Sequence, residues 1–290
     1  MTSPVSEAIP RRRMTRTRWW LAGMAALLIL VLLAAWLERR TIANSYVDGL
    51  MIEKGVPARY TIVDLGPGGQ RLENVVIGDP ARPDLTADWV ETVTRLGWNG
   101  PAVVAIRAGS VRMRGRILDG RVSLGALDRL LPKGDGAPFS LPDIAFSVAD
   151  GRMRLDTPVG PVGMKLTGSG NIRSGFDGTL AAVAPRLASD ECAVTGASGY
   201  WRITTSAGAP RLRGPTRGAQ VVCGDMIVRG ILAEVDARPG AQLDRADGTT
   251  RIAVGEIRSP TLWLKQLGGT VAQRGTFKDA KGDLALSSGA

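Results

Sequence analysis

The sequence predicts a mostly β protein. One N-terminal transmembrane helix anchors it, and one short amphipathic helix lies between this anchor and the β domain. Three observations support this class: an uncharged apolar run at residues 19–37, helical spacing of apolar residues at 38–57, and period-two alternation through 58–290. The expected divisions are a cytoplasmic basic tail (1–18), the transmembrane helix (19–37), the amphipathic helix (38–57) and a β domain outside the cytoplasm (58–290).

The apolar run WWLAGMAALLILVLLAAWL has about the length that a helix needs to cross a hydrocarbon core. Trp19, Trp20 and Trp36 mark its ends, where indole rings prefer the headgroup region. Five arginines precede the run, so the positive-inside rule predicts a cytoplasmic N-terminus, with the residues from about 38 onward outside the cytoplasm. A cleaved signal peptide is the alternative, but its apolar core is usually shorter.

The second helix is predicted from apolar residues that recur three and four positions apart and then stop before Gly55 and Pro57. Such a helix either caps the end of the following sheet or lies at the membrane surface, and capping is the preferred interpretation. Its apolar positions are Ile42, Ala43, Tyr46, Val47, Leu50 and Met51.

Alternating segments beside Asp-Gly pairs predict β-hairpins. One is expected to turn at Asp119-Gly120 and another at Asp150-Gly151, 31 residues later, with a looser copy at Asp177-Gly178. The spacing favours a repeated unit, and unrelated hairpins are the alternative. Further strands are expected at 60–65, 71–77, 85–95, 162–167, 200–204, 220–229 and 250–254, and a short helix that Ser123 caps and Pro132 ends carries Leu124, Leu127, Leu130 and Leu131.

Composition argues against an enzyme. The chain contains no histidine, which excludes Ser-His-Asp chemistry, Cys-His chemistry and histidine-containing zinc sites. No P-loop or nucleophile elbow is present, so no catalytic residue, metal or cofactor is predicted. The net charge is +10, but half of the excess lies in residues 1–40 and no basic run follows, which argues against nucleic acid as a partner.

The two cysteines, Cys192 and Cys223, fall in the part predicted to lie outside the cytoplasm, in an oxidising space. They either form a disulfide or are two separately buried thiols, because sequence does not supply the distance between them. The alternation itself leaves two architectures open. Either the apolar residues face the inside of a closed sandwich and the polar ones the outside, or the apolar residues line a hydrophobic trough on an open sheet.

Several segments, taken in order, resemble the N-terminal part of YdbH-like proteins, which belong to the AsmA-like group with TamB and YhdP. They are ARYTIVDLGPGGQRLENVVIGDP, GSVRMRGRILDGRVSLGALDRLLP, PFSLPDIAFSVADGRMRLDTPVGPVGMKLTGSGNI and GFDGTLAAVAPRL. The resemblance implies an inner-membrane-anchored periplasmic sheet rolled into a repeating β-groove that carries phospholipid between the inner and outer membranes. An outer-membrane or periplasmic partner protein is implied with it.

Family members are several times longer. About 20 strands would give roughly 100 Å at 4.8 Å per strand, and about half that many are predicted here. The chain is therefore expected to be an N-terminal portion. The alternative function is a structural or scaffolding envelope protein, with a closed β-sandwich on a membrane stalk. The face-sharing candidates for the groove lining are Val111, Met113, Ile117, Ile144, Phe146, Val148, Met153, Leu155, Val162, Met164 and Leu166.

Overall fold

The computed structural model describes residues 51, 53–66, 68–97, 100–118, 121–130, 140–240, 245–275 and 280–288. The chain divides into two units, residues 1–47 and 48–290, and all described residues belong to the second. The predicted tail and transmembrane helix, with Trp19, Trp20 and Trp36, lie outside the described residues, as does most of the amphipathic helix. Within the described ranges, no helix is long and apolar enough to cross a membrane.

Fifteen strands form one large, almost entirely antiparallel sheet, and regular helix is nearly absent from the described residues. The strands are β1 (Ala58–Gly66), β2 (Gly69–Asp79), β3 (Arg82–Gly97), β4 (Gly100–Gly109), β5 (Val111–Leu118), β6 (Arg121–Ser123), β7 (Ala145–Thr157), β8 (Gly160–Asn171), β9 (Asp177–Ala188), β10 (Cys192–Ser206), β11 (Ala209–Cys223), β12 (Met226–Pro239), β13 (Ala246–Arg258), β14 (Trp263–Gly275) and β15 (Ala280–Ser288).

Most strands pair with their sequence neighbours. The order is β1-β2-β3-β4-β7-β8-β9-β10-β11-β12-β13-β14-β15, and among the described strands β1 pairs only with β2 and β15 only with β14. The exception to antiparallel pairing is β7, which runs parallel to β4 along its first half and to β5 along its second. A parallel pair needs a crossover connection. That connection contains β6 and a short 3-10 helix (Gly125–Arg129).

A row of polar residues crosses four neighbouring strands and shifts the side-chain alternation by one residue. Asn74, Asp88, Ser110 and Asp150 occupy it, and Asn74 and Ser110 take φ values of 53° and 52°. The pairing is irregular at Arg59/Thr61 of β1 and at Val148/Gly151 of β7 against β8. These bulges absorb the shift at the two borders of the row, so the apolar rows on either side of it stay on the same face.

The row corrects one hairpin prediction. Asp150-Gly151 is not a turn but the bulge inside the continuous strand β7, because the parallel neighbours β4 and β5 and the antiparallel β8 pair along its whole length. Asp177-Gly178 likewise begins β9, and the preceding turn is at residues 172–175. The two Asp-Gly copies therefore do not occupy equivalent positions, and the repeating unit is the single antiparallel strand.

The remaining strand predictions hold with two adjustments. The hairpin between β5 and β6 forms, with Ile117 paired to Val122, although its turn residues 119–120 lie outside the described ranges. Residues 85–95 are strand, as predicted, within β3. Residues 220–229 are not one strand, because Gly224, at φ 55°, turns the chain between β11 and β12. β4 and β14 were not predicted, so the predicted strand count was too low.

The start of the described chain and the crossover meet at one end of the sheet. Met51 and Glu53 are helical, and Gly55 takes φ 63°, the left-handed conformation that ends helices. Arg129 donates to the Gly55 carbonyl, and the backbone N–H of Ala126 donates to Asp84 at 2.9 Å. Ser123 accepts from the Gly125 N–H at 3.3 Å, but the 3-10 helix begins after Leu124, so Ser123 is not its N-cap.

Candidate functional site

One face of the sheet is apolar, and we call it the apolar face. Its clearest row runs across Leu85, Met113, Met153, Met164, Ala182, Gly199, Thr216, Ala233, Ile252 and Gly269 through direct cross-strand pairs. A second row, two residues away along each strand, contains Leu166, Leu180 and Trp201. Because side chains alternate along a strand, both rows point to the same side.

All eleven predicted lining residues lie on this face. Met113, Met153 and Met164 are direct neighbours in one row, and Leu155 pairs with Val162 in the next. Each of the eleven is buried or half-buried, whereas Arg112, Arg114, Arg152, Arg154 and Lys165 between them are exposed. The structure therefore brings the predicted set together as one surface, and its contact with lipid remains a prediction.

The apolar face extends well past the predicted set, across β9 to β14. Its further members follow the same alternation, which was a readable signal in the sequence that the prediction did not use. They include Leu180, Trp201, Ile203, Leu212, Ile231, Val235, Ile252, Val254, Leu267 and Val271.

Trp201 is the largest side chain on the extended part, and glycine makes room for it. A Cβ on Gly199 would lie only 2.0 Å from Cζ2 of the Trp201 ring, so no larger residue fits at 199 without displacing the indole. The indole Nε1 donates to the Thr216 hydroxyl at 3.1 Å, which satisfies its one polar group on an otherwise apolar surface.

Two phenylalanines lie together near one end of the face. The rings of Phe146 and Phe176 are 6.4 Å apart between centroids and tilted by 32°, within the range favoured by aromatic pairs. Phe176 is buried over Gly168 and Gly178, where added Cβ atoms would lie 2.7 and 2.9 Å from its ring. The glycine pair therefore lets this ring pack flat against the sheet.

The apolar face has no second layer over it among the described residues. Every described strand belongs to the one sheet, and only eight hydrophobic residues are buried, none of them completely. They are Val56, Val75, Ala87, Ala108, Val148, Phe176, Ala184 and Leu267. A closed sandwich would bury its inner faces between two sheets. Here most apolar side chains stay half-exposed, so they are available to an apolar ligand.

The opposite face, which we call the polar face, carries ion pairs between neighbouring strands, with exposed Val183, Tyr200 and Leu232 among its charged side chains. Arg211 donates twice to Asp236, at 2.8 and 2.5 Å, and Arg202 pairs with Asp177. These hydrogen bonds lower the pKa of both carboxyls and raise the pKa of both guanidinium groups. The pairs are solvent-exposed, so they mark the water-facing side more than they stabilise it.

Cys192 and Cys223 are directly opposite each other in β10 and β11 and form a disulfide across 31 positions of sequence. It ties the open end of that hairpin. Elsewhere the described residues contain no group of three metal-ligating side chains, and the apolar face presents no buried charged residue. The arrangement offers burial of apolar groups.

A single open sheet with one long, uncovered apolar face defines a class of β protein that can shelter elongated apolar ligands. The family model described as "YdbH-like: Intermembrane phospholipid transport protein YdbH" matches residues 27–287. The chain therefore belongs to the YdbH-like family, a family of lipid transport in the cell envelope, with phospholipid as the implied ligand. No curated protein and no solved structure matches the chain.

Proposed function

We propose that the apolar face lines a groove along which phospholipid acyl chains pass between the inner and outer membranes. The observation that carries this proposal is the uninterrupted row from Leu85 to Gly269, which crosses ten strands without a charged residue. An acyl chain on such a surface gains about 25 cal/mol for each Å² of apolar area removed from water. The polar face keeps the sheet soluble outside the bilayer.

The direction of the groove follows from the stacking of strands. Thirteen strands lie in the main pairing order, which corresponds to roughly 58 Å at 4.8 Å per strand. The sequence predicts a transmembrane helix at residues 19–37 with its N-terminus in the cytoplasm, and β1 is the first strand that follows it in the chain. Lipid would therefore enter at β1 and pass along the later strands.

The candidate lining residues are tested by photo-crosslinking in cells. A crosslinking amino acid at Phe146 or Met164 on the apolar face should capture phospholipid, identified by mass spectrometry of the adduct. Ser147 and Lys165 are the matched controls, because each is the sequence neighbour of a test position on the opposite face. Labelling at the control positions alone would exclude the groove.

A scaffolding role with a closed sandwich is the alternative, and it makes a different prediction for purified protein. A dry, closed core retains no lipid, whereas an open apolar face should co-purify with phospholipid after gentle extraction. The membership of all described strands in one sheet favours the groove. Mass spectrometry of the extracted full chain, with and without a crosslinker at Phe146, separates the two.

A further inference from the structure

A pocket lies beside the basic residues of β5, β7 and β8, and its lining also includes Met113, Met153 and Met164 of the row between them. Its volume is about 750 Å³, within the range of small-molecule sites. Five of its lining side chains are basic: Arg112, Arg114, Arg152, Arg154 and Lys165. We call it the basic pocket.

The strand register puts these five side chains on the polar face in two adjacent rows. Arg112, Arg152 and Lys165 are direct neighbours across β5, β7 and β8. Arg114 and Arg154 are neighbours in the next row, and Arg154 is followed there by Gly163. Gly163 carries no side chain, and Val183 of β9 lies beside it, with Cγ2 3.3 Å from the position of an added Cβ.

The first row has its own counter-ion. Asp150, in the bulge of β7, accepts from Arg112 at 2.7 Å and from Arg152 at 3.3 Å, and lies 3.5 Å from Nζ of Lys165. The hydrogen bond from Arg112 is the main reason that the pKa of Asp150 is lowered. One carboxylate thus holds three cations in position.

The second row lacks an equivalent carboxylate. Arg154 pairs with Asp156 at 2.9 Å, but both side chains are more than half exposed. Arg114 forms no ion pair or side-chain hydrogen bond with any described residue. Like charges directly opposite each other across strands are unfavourable, and Arg114 and Arg154 form such a pair. Five cations therefore line one pocket with two carboxylates beside it.

We infer that the basic pocket binds a phosphate-bearing anion between Arg114 and Arg154, which are direct neighbours across β5 and β7. Guanidinium groups match phosphate oxygens with paired N–H donors, and a bound phosphate would supply the counter-charge that the second row lacks. The site lies on the opposite side of the sheet from the acyl-chain groove, so it goes beyond the proposed transport path. A phosphate group of this kind comes from a lipid headgroup or a soluble phosphoester.

The test is calorimetric titration of the full chain, in detergent at low ionic strength, with glycerol 3-phosphate and inorganic phosphate. The variant Arg114→Gln/Arg154→Gln should bind glycerol 3-phosphate at least tenfold more weakly. Arg217→Gln is the matched control, because Arg217 is an exposed arginine on the same face outside the pocket. Circular dichroism checks that each variant keeps its strand content.

Asp150→Asn supplies a result of opposite sign. Removal of the internal counter-ion leaves three further cations unpaired, so phosphate should bind more tightly, which simple damage to the sheet would not produce. Vesicles that contain phosphatidylglycerol then replace the soluble probe to identify the source of the phosphate. If the protein binds only the vesicles, and the double variant does not, the ligand is a lipid headgroup. Four results would overturn the proposal. They are a loss of affinity in Arg217→Gln equal to that in the double variant, weaker phosphate binding in Asp150→Asn, no binding of either phosphate form, and tighter binding of polyglutamate than of either phosphate form.

Discussion

Substitution of Gly199 by alanine should destabilise the sheet through one identifiable contact. The added Cβ would lie 2.0 Å from Cζ2 of Trp201, well inside van der Waals contact, so the indole must leave its position and its hydrogen bond to Thr216. Overpacking of this kind costs about 1–3 kcal/mol. The φ angle of Gly199 is outside the left-handed region, so the cost is side-chain crowding and not backbone strain.

Gly218 gives a matched control on the same face. A Cβ there meets Ile231 Cδ1 at 3.5 Å, an ordinary contact, and Gly218 also has no positive φ. Gly218→Ala should therefore be neutral or stabilising by up to about 1 kcal/mol, because alanine restricts the unfolded chain. The opposite signs of two glycine-to-alanine changes on neighbouring strands separate crowding from a general effect of alanine.

The assay is hydrogen exchange of the β10 and β11 amides by mass spectrometry, which reports the free energy of local opening. Gly199→Ala should reduce protection of these strands about tenfold or more, and Trp201→Leu should remove most of that effect when the two are combined. If Gly199→Ala and Gly218→Ala behave alike, or if Trp201→Leu brings no relief, the assigned contact is wrong.

Three further predictions follow from other contacts. Replacement of Cys192 and Cys223 by serine should lower stability by up to about 4 kcal/mol, seen as faster exchange in β10 and β11; unchanged exchange would mean that pairing alone holds this hairpin. The Asp236 pKa is lowered by Arg211, so the pair's stabilising contribution is complete above the unfolded-state pKa and lost as acid protonates the folded carboxyl. The thermal midpoint should fall below about pH 4, and less steeply in Arg211→Met; equal slopes would refute the assignment. Leu166→Arg should abolish lipid capture at Met164, whereas Lys165→Arg should not.

The period-two alternation was enough to predict the strands and the side to which their apolar residues point. The predicted lining residues, from Val111 in β5 to Leu166 in β8, share one face in the structure. Side chains on a strand alternate between its two faces regardless of which strand it pairs with. The same rule covers Leu180, Ile231 and Ile252, which the prediction omitted although the signal was present. β4, with Val103, Val104 and Ile106 beside glycine and proline, gave a weaker pattern and was missed.

The hairpin error at Asp150-Gly151 has a different origin. Asp-Gly favours a turn locally, and the change from even to odd apolar positions after Val148 agrees with one. A bulge inside a continuous strand produces the same change, because one extra residue also restores the face. The choice was made by β4, β5 and β8, which pair along β7, and the partner residues in β4 and β5 lie 40 positions earlier in the sequence.

The sequence by itself therefore determined the class: a β-rich chain with an apolar N-terminal segment, one apolar and one polar side to its strands, and membership of a lipid-transport family. Tertiary structure alone decided that the strands form one uncovered sheet, that Cys192 meets Cys223, and that five basic side chains surround one pocket. The physical reason is the distance along the sequence over which each feature is determined. Alternation is written into neighbouring residues, whereas pairing, register and the meeting of charges depend on which distant strands lie side by side.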